Sequence, residues 1–371
     1  MIIGIDLLWV RPGICGGTES YIRNLLEGFG TYGTQDTFLL FATLDNAETF
    51  KQYTETYPQM QLVTCPVEYK VQYKRIWWEN LHLDAWAKKR QVDLMFIPVY
   101  SKPLSLGKKM PYITVVHDLQ GKHYPHYFSK PRYWFFCFMW WYGSHTSSVI
   151  VTDSEYGRED MIRRYPASKG KCRCIYVPVL TSSEKMDFAM LEEKYQIQRE
   201  NYYYCVSSLL PHKNLETILK TFHAHPDLGT LVLSGVGGDN EGFQEKIRKL
   251  GLTDRVVQTG FISNAERDAF YENCKAFLFP SEFEGFGMPP IEAMRKGKRV
   301  VMTDMSCLEE VTCKQAIYVR NSKDTQEWYD KMKMAAELAP KQVEFEQYSL
   351  ETITGHYLDL FHEVADSGPK A

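Results

Sequence analysis

The feature that most limits what this chain can become is a rhythm: short runs of β-branched and apolar residues separated by longer stretches with helical spacing. In the first half the runs fall at residues 2–7, 37–41, 94–97, 112–116 and 149–151. Between the first two, TESYIRNLLEGF at 18–29 places Tyr21, Ile22, Leu25, Leu26 and Phe29 on one helical stripe. Gly30 and Gly33 are expected to stop that helix. Strands separated by helices are joined by crossovers rather than hairpins, so the alternation predicts a parallel sheet with helices on its faces. From residue 202 the rhythm starts again, with runs at 202–206, 231–234, 256–260, 277–280 and 299–303 and helical stretches at 214–223, 240–250, 264–273 and 289–296. Two doubly wound, Rossmann-like units in tandem are the simplest reading.

A chain of 371 residues is long for one core and comfortable for two. The break falls where the periodicity dissolves into a polar, charged stretch at 180–201. This predicts an N-terminal domain over 1–185 and a C-terminal domain over 200–345. A final helix within 346–371 carries Leu350, Ile353, Tyr357, Leu358, Leu360 and Phe361 at helical spacing and is free to pack on either domain. The net charge of −3 lacks the basic surplus of a nucleic-acid binder. Nine scattered cysteines without a C-x-x-C pair suggest neither a disulfide framework nor a zinc site, which fits a reducing cytoplasm. The opening MIIGIDLLWV reads as a buried strand and not as a secretory leader.

No apolar run reaches the roughly 18 residues that span a bilayer. The richest, YWFFCFMWWY at 133–142, is aromatic and follows Lys130 and Arg132. Two readings stand: a buried helix or cleft wall, and an interfacial helix that meets a lipid-linked acceptor in peripheral contact with the inner membrane face.

The most informative segment is FPSEFEGFGMPPIEAM at 279–294. A strand is expected to end near Pro280, a loop with Gly285 and Gly287 to follow, and Pro289 and Pro290 to open a helix that runs to Gly297. Free backbone N–H groups and the positive end of a helix then lie at the carboxyl edge of a parallel sheet, where phosphates bind. Glu284 on the loop and Glu292, expected in the first helical turn, can face one pocket from two sides.

This segment resembles the E-x7-E motif of retaining glycosyltransferases with the GT-B fold, specifically glycosyltransferase family four, as found in bacterial surface-polysaccharide enzymes. The likeness extends along almost the whole chain and implies two Rossmann-like domains facing across a cleft, the first for the acceptor and the second for a nucleotide-diphosphate sugar. By this resemblance Lys213, in SSLLPHKN at 207–214, binds the donor diphosphate. Relatives carry an arginine beside or just before that lysine, whereas here Ser208 and His212 stand there, so neither is taken as a ligand. Glu292 would bond the ribose hydroxyls, Glu284 the donor sugar, and Phe286, Gly287 and Met288 would surround that sugar. Gly235, in SGVGG at 234–238, corresponds to a loop near the nucleotide, and a tight βα turn uses the same residues. In GICGGTE at 13–19 the resemblance brings Gly16 and Gly17 to the donor phosphates or the acceptor. His117, in the His117–Asp118 pair after a strand, would face the donor sugar or acceptor. Asp118 is read as orienting its neighbour or capping the next helix, and Ser154 chiefly as a helix cap.

Breaking a glycosidic bond to a diphosphate requires positive charge at the leaving group. No Asp-x-Asp occurs to hold a divalent metal, so Lys213 and the helix near Pro289 are expected to take that part, with no cofactor beyond the donor substrate. The resemblance implies retention of configuration, the departing phosphate oxygen accepting the acceptor's proton. Rival readings are a hydrolase built on the two carboxylates, an NAD-linked oxidoreductase, which the missing G-x-G-x-x-G disfavours, and a catalytically silent nucleotide-sugar-binding homologue acting as a partner subunit.

Overall fold

A computed structural model describes residues 1–104, 110–180, 185–237 and 240–367. Gly238, residues 181–184 of the expected interdomain stretch and the last four residues of the chain lie outside them. The chain divides into two compact units, the first comprising 1–178 with 346–371, the second 179–345.

The first unit holds a seven-stranded parallel sheet: β1 (Ile2–Asp6), β2 (Thr37–Thr43), β3 (Met60–Cys65), β4 (Leu94–Ile97), β5 (Tyr112–Val116), β6 (Val149–Thr152) and β7 (Cys172–Cys174), in the order β3-β2-β1-β4-β5-β6-β7. The second holds six: β8 (Tyr202–Val206), β9 (Thr230–Ser234), β10 (Val256–Gly260), β11 (Phe277–Phe279), β12 (Val300–Thr303) and β13 (Ile317–Val319), in the order β10-β9-β8-β11-β12-β13. Both sheets have the strand order of doubly wound nucleotide-binding folds, in which chain direction along the sheet reverses beside the first strand. The reversal lies between β1 and β4 in one unit and between β8 and β11 in the other, and loops leaving the carboxyl ends of those strands form a crevice there. The sequence rhythm therefore gave the architecture, but it missed β3, β7 and β13. All three are edge strands, and β7 and β13 have only three residues each.

Central parallel strands are covered on both faces and tolerate no unpartnered polar group. β8 makes the point with three consecutive buried tyrosines. Tyr202 donates to the Phe270 carbonyl at 2.9 Å, Tyr203 to that of Met332 at 3.2 Å, and Tyr204 to Ser234 Oγ at 2.9 Å. Large rings fill the core while every hydroxyl is paired.

The helix after β1 runs Gly17–Tyr32, not to Gly30 as its glycines suggested. Gly30 stays helical because its bare face receives the ring of Tyr57, and Gly33 is the cap. Gly28 serves a similar purpose, since a Cβ there would strike Thr354 of the final helix, Leu350–Asp366. That helix packs on Gly17–Tyr32, with Phe29 against Phe361 at 5.5 Å and the Tyr21 and Tyr357 hydroxyls 2.5 Å apart. The aromatic run lies on the helix Lys130–Thr146 and resolves into two faces: Phe136, Met139 and Trp140 are buried, whereas Trp134, Phe135, Phe138 and Trp141 are exposed. The helix is neither wholly buried nor wholly exposed, and its Phe135, Phe136 and Phe138 line a cavity, as the cleft-wall reading expected. Among the described residues no helix is long and apolar enough to cross a membrane.

Candidate functional site

In the second unit the chemistry-bearing loops leave the two strands that flank the reversal. β8 ends at Val206 and leads through a turn of 3₁₀-helix, Pro211–Lys213, closed by Asn214 at φ +53°. β11 ends at Phe279 and leads to the loop carrying Glu284. The two loops are tied together by the Glu282 N–H, which donates to the His212 carbonyl at 2.7 Å. Lys213 Nζ then meets Glu284 Oε1 at 2.6 Å, with both side chains mostly buried. His212 is buried, and desolvation together with the Lys213 charge lowers its pKa to about 4, so it is neutral at pH 7. The positive charge of this loop is thus carried by Lys213.

The loop around Glu284 is rigidly held. Its N–H donates to Ser306 Oγ at 3.1 Å, and the Cys307 thiol donates to the carbonyls of Glu284 and Phe286 at 3.3 and 3.4 Å. Phe286 is buried. Gly287 caps the helix Met288–Arg295 at φ +91°, a conformation that side chains resist, and the two prolines occupy its first turn, where their missing N–H groups cost nothing. The N-terminus of this helix has no side-chain cap, leaving a positive dipole end beside the Lys213–Glu284 pair's loop. Gly235 follows β9 at φ +79°, its N–H donating to the Gly260 carbonyl at 2.9 Å, and a Cβ there would press on the Ser207 carbonyl.

Glu292 departs from its expected place. It is the fifth residue of its helix and so lies in the second turn, away from the unsatisfied N–H groups. It has a partner of its own: Glu292 Oε2 accepts from the Tyr271 hydroxyl at 2.9 Å and lies 3.4 Å from Arg267 Nε. Burial raises its pKa while Arg267 opposes the shift. The two motif carboxylates therefore face different cations, Glu284 facing Lys213 and Glu292 facing Arg267. Sequence reasoning missed Arg267 and Tyr271, which lie on the helix Asn264–Asn273. Nothing in their local pattern distinguishes them from ordinary helix residues.

In the first unit Gly16 caps the helix Gly17–Tyr32 at φ +56°, exposed and without a side-chain cap. The Gly13 N–H of the same loop donates to Glu19 Oε2 at 2.9 Å. His117 leaves the carboxyl end of β5, and its ring stands edge-on to Tyr21 of that helix, centroids 4.8 Å apart. Its Nδ1 lies 2.7 Å from Asp153 Oδ2 and its Nε2 3.0 Å from the Pro98 carbonyl. Burial disfavours the imidazolium, but the Asp153 charge and two acceptors outweigh it, and the pKa ends above its usual 6.5. Asp153 was missed, although its position just after β6, as His117 stands just after β5, was a usable signal. Asp118 Oδ1 accepts from the Gln120 N–H at 2.8 Å, and Ser154 Oγ caps the helix Glu155–Arg164 through the Gly157 N–H.

Two family models match the chain: Glycosyltransferase Family 4 over residues 15–182 and Glycosyl transferases group 1 over residues 188–352. Between them they cover most of it. Among curated proteins it is 29% identical over 236 residues to the O-antigen chain mannosyltransferase RfbU of Salmonella typhimurium, 63% of each chain. It is 26% identical over 241 residues to the O-antigen chain mannosyltransferase B of Escherichia coli, 61% of each. The matches thus span somewhat less than two thirds of these relatives' length. Among solved structures the fold is similar to sucrose-phosphate synthase from Thermosynechococcus elongatus, with a TM-score of 0.74 at 14% identity over 99% of this chain and all of that one. It is also similar to Anabaena HepE in complex with UDP-glucose, with a TM-score of 0.71 at 17% identity over 98% and 100%.

Proposed function

We propose, for a chain that belongs to glycosyltransferase family four, that it transfers a hexose from a nucleotide-diphosphate sugar to a glycan or lipid-linked glycan in the assembly of a bacterial surface polysaccharide. The observation that carries this reading is the Lys213–Glu284 pair, 2.6 Å apart, on the two loops that flank the sheet reversal. In a doubly wound sheet that crevice is where nucleotides bind. A lysine held there by a single carboxylate is ready to exchange it for a diphosphate.

In the reaction the acceptor hydroxyl oxygen bonds to the anomeric carbon as the bond from that carbon to the diphosphate oxygen breaks. The electron pair goes to the leaving oxygen, which takes the acceptor's proton. Attack and departure on one face retain the configuration, and no side chain is a covalent nucleophile. Lys213 and the N–H groups opening the helix Met288–Arg295 meet the charge that develops on the diphosphate, in place of a divalent metal. Freed from Lys213, Glu284 turns to the sugar hydroxyls, with Phe286, Gly287 and Met288 around the sugar, while Glu292, fixed by Tyr271 and Arg267, takes the ribose. Gly235 and the Gly16–Gly17 turn approach the donor phosphates, and His117 faces the sugar or the acceptor. Relatives that are mannosyltransferases make a mannosyl nucleotide the first donor to test.

A thermal-shift screen of nucleoside diphosphates and their sugars tests the reading, because a ligand that binds only the folded state raises Tm with its concentration. A rise with one diphosphate and its hexose supports it. No rise with any of them, or transfer that disappears with chelator and returns with manganese, would sink the mechanism.

A further inference from the structure

The chain passes from one unit to the other twice, after residue 178 and after residue 345. At the first passage two successive carbonyls are held, each by its own unit. Asn24 Nδ2, on the helix Gly17–Tyr32 of the first unit, donates to the Pro178 carbonyl at 2.9 Å. Arg295, the last residue of the helix Met288–Arg295 in the second unit, donates through Nη1 to the Val179 carbonyl. Its Nη2 donates to the Phe345 carbonyl at 2.9 Å. One guanidinium thus grips both passages, although they lie 116 and 50 residues from it in the chain.

Because peptide groups are planar, these contacts leave few free torsions. The Pro178 carbonyl and the Val179 N–H share one plane, which Asn24 ties to the first unit. The Val179 carbonyl belongs to the next plane, which Arg295 ties to the second. Between the two planes lie only the φ and ψ of Val179. At the return passage the plane of the Phe345 carbonyl is tied to the second unit, and the 3₁₀ turn Glu346–Tyr348 follows at once. That turn belongs to the first unit, where the Tyr348 ring stands edge-on to Tyr176, centroids 5.1 Å apart. Glu346 is the residue at which the return passage turns.

The grip on the second unit's side is well supported. The segment leading to Phe345 is laced to the end of the gripping helix: the Val343 N–H donates to the Met294 carbonyl at 3.1 Å and the Lys341 N–H to that of Gly297 at 2.9 Å. Arg299 Nε donates to the Ala339 carbonyl at 2.9 Å. Val179 and Phe345 are 2 and 1% exposed, so water does not compete for the guanidinium contacts. A lysine cannot take this place, because an ammonium is a point charge and lacks the planar fork that reaches two carbonyls.

Both gripping helices start at turns that the sugar-transfer reading aims at the donor. Gly16 and Gly17 open the one, Gly287 opens the other, and Glu292 stands three residues before Arg295. We propose that Asn24 and Arg295 are positioning residues: each ties its own donor-facing helix to the passage beside it, so that one unit turns against the other about Val179 and Glu346 alone. The inference rests on the sugar-transfer reading and names the residues that keep groups of both units in register with one donor. Misplacement of such groups by about 1 Å costs on the order of 10²-fold in rate.

The test uses the full chain with Arg295→Lys, which keeps the charge and loses the fork, and Asn24→Leu, which keeps the size and loses the hydrogen bond. A third variant, Glu346→Gly, loosens the return passage at an exposed residue and leaves both grips in place. Small-angle X-ray scattering without ligand should give each variant a broader distribution of interatomic distances than wild type, at an unchanged far-ultraviolet circular dichroism spectrum. With the donor that the Tm screen selects, turnover by Arg295→Lys should fall at least about 10-fold while donor affinity stays within about twofold, since Lys213, Glu284 and Glu292 all belong to the second unit. A merely structural role would lower Tm and leave turnover per folded molecule as it was. Should Arg295→Lys fail to fold, Asn24→Leu and Glu346→Gly carry the same two readouts. Scattering identical to wild type, or affinity that falls as steeply as turnover, would overturn the proposal. If no nucleotide sugar raises Tm, the sugar-transfer reading falls by itself, and scattering still decides the pivots.

Discussion

The two units place charge at the same point of the same kind of sheet, yet treat it in opposite ways. In the second unit the cations around the crevice are matched by carboxylates, Lys213 by Glu284, Arg267 by Glu292 and Lys323 by Glu282 at 2.9 Å. In the first unit Arg75 lies 3.1 Å from Glu79, whose pKa burial raises, whereas Arg11 and Arg132 face a cavity with no such match among the described residues. A matched site is stable when empty and binds by exchanging one counterion for another.

Four measurements bear on that contrast. The largest effect is expected for Lys213→Ala, which removes the cation facing the leaving group and should lower sugar transfer on the order of 10²–10³-fold, while leaving Glu284 unpaired lowers Tm as well; an unchanged transfer rate would remove Lys213 from the mechanism. Glu292→Ala leaves the buried Tyr271 hydroxyl without its acceptor and Arg267 with only Asp268, 3.6 Å away, and should destabilise the second unit by about 1–3 kcal/mol, seen in urea unfolding. It should also weaken nucleotide binding, and unchanged stability would contradict the matched-charge picture. Arg132→Gln, by contrast, should shift stability by no more than about 0.5 kcal/mol, since it breaks no ion pair. A large loss there would mean that the first unit's arginines are structural.

The smallest effect is that of His117. Its pKa is raised in the folded state, so the stability it confers is complete below the ordinary value and fades as pH climbs through the elevated one. The Tm difference between wild type and His117→Gln should therefore shrink as pH rises above the ordinary imidazole value of 6.5. A flat difference would show that the Asp153 contact does not hold the imidazolium.

Much of this was legible in the residue pattern because it is local. Strand and helix alternation, prolines opening the helix Met288–Arg295, the glycine loop before it and the Ser154 cap each depend on a few neighbouring residues and their backbone preferences. The short edge strands escaped because three residues carry no periodicity, and Gly30 misled because its partner, Tyr57, lies far along the chain. Aromatic richness at 133–142 was plain, but which rings are buried depends on what packs against the helix.

By itself, then, the sequence determined two parallel α/β units and set Glu284 and Glu292 beside a glycine loop and a helix start, whereas Lys213 stood out only through the family resemblance. Spacing and turn chemistry are properties of adjacent residues, so they can be read in one dimension. Tertiary structure alone decided that Glu284 answers Lys213 while Glu292 answers Arg267, that the last helix packs on the helix following β1, and that the arginines of the first unit share a cavity. Those are encounters between side chains distant in the chain, settled by burial and by the need of every buried charge for a counterpart.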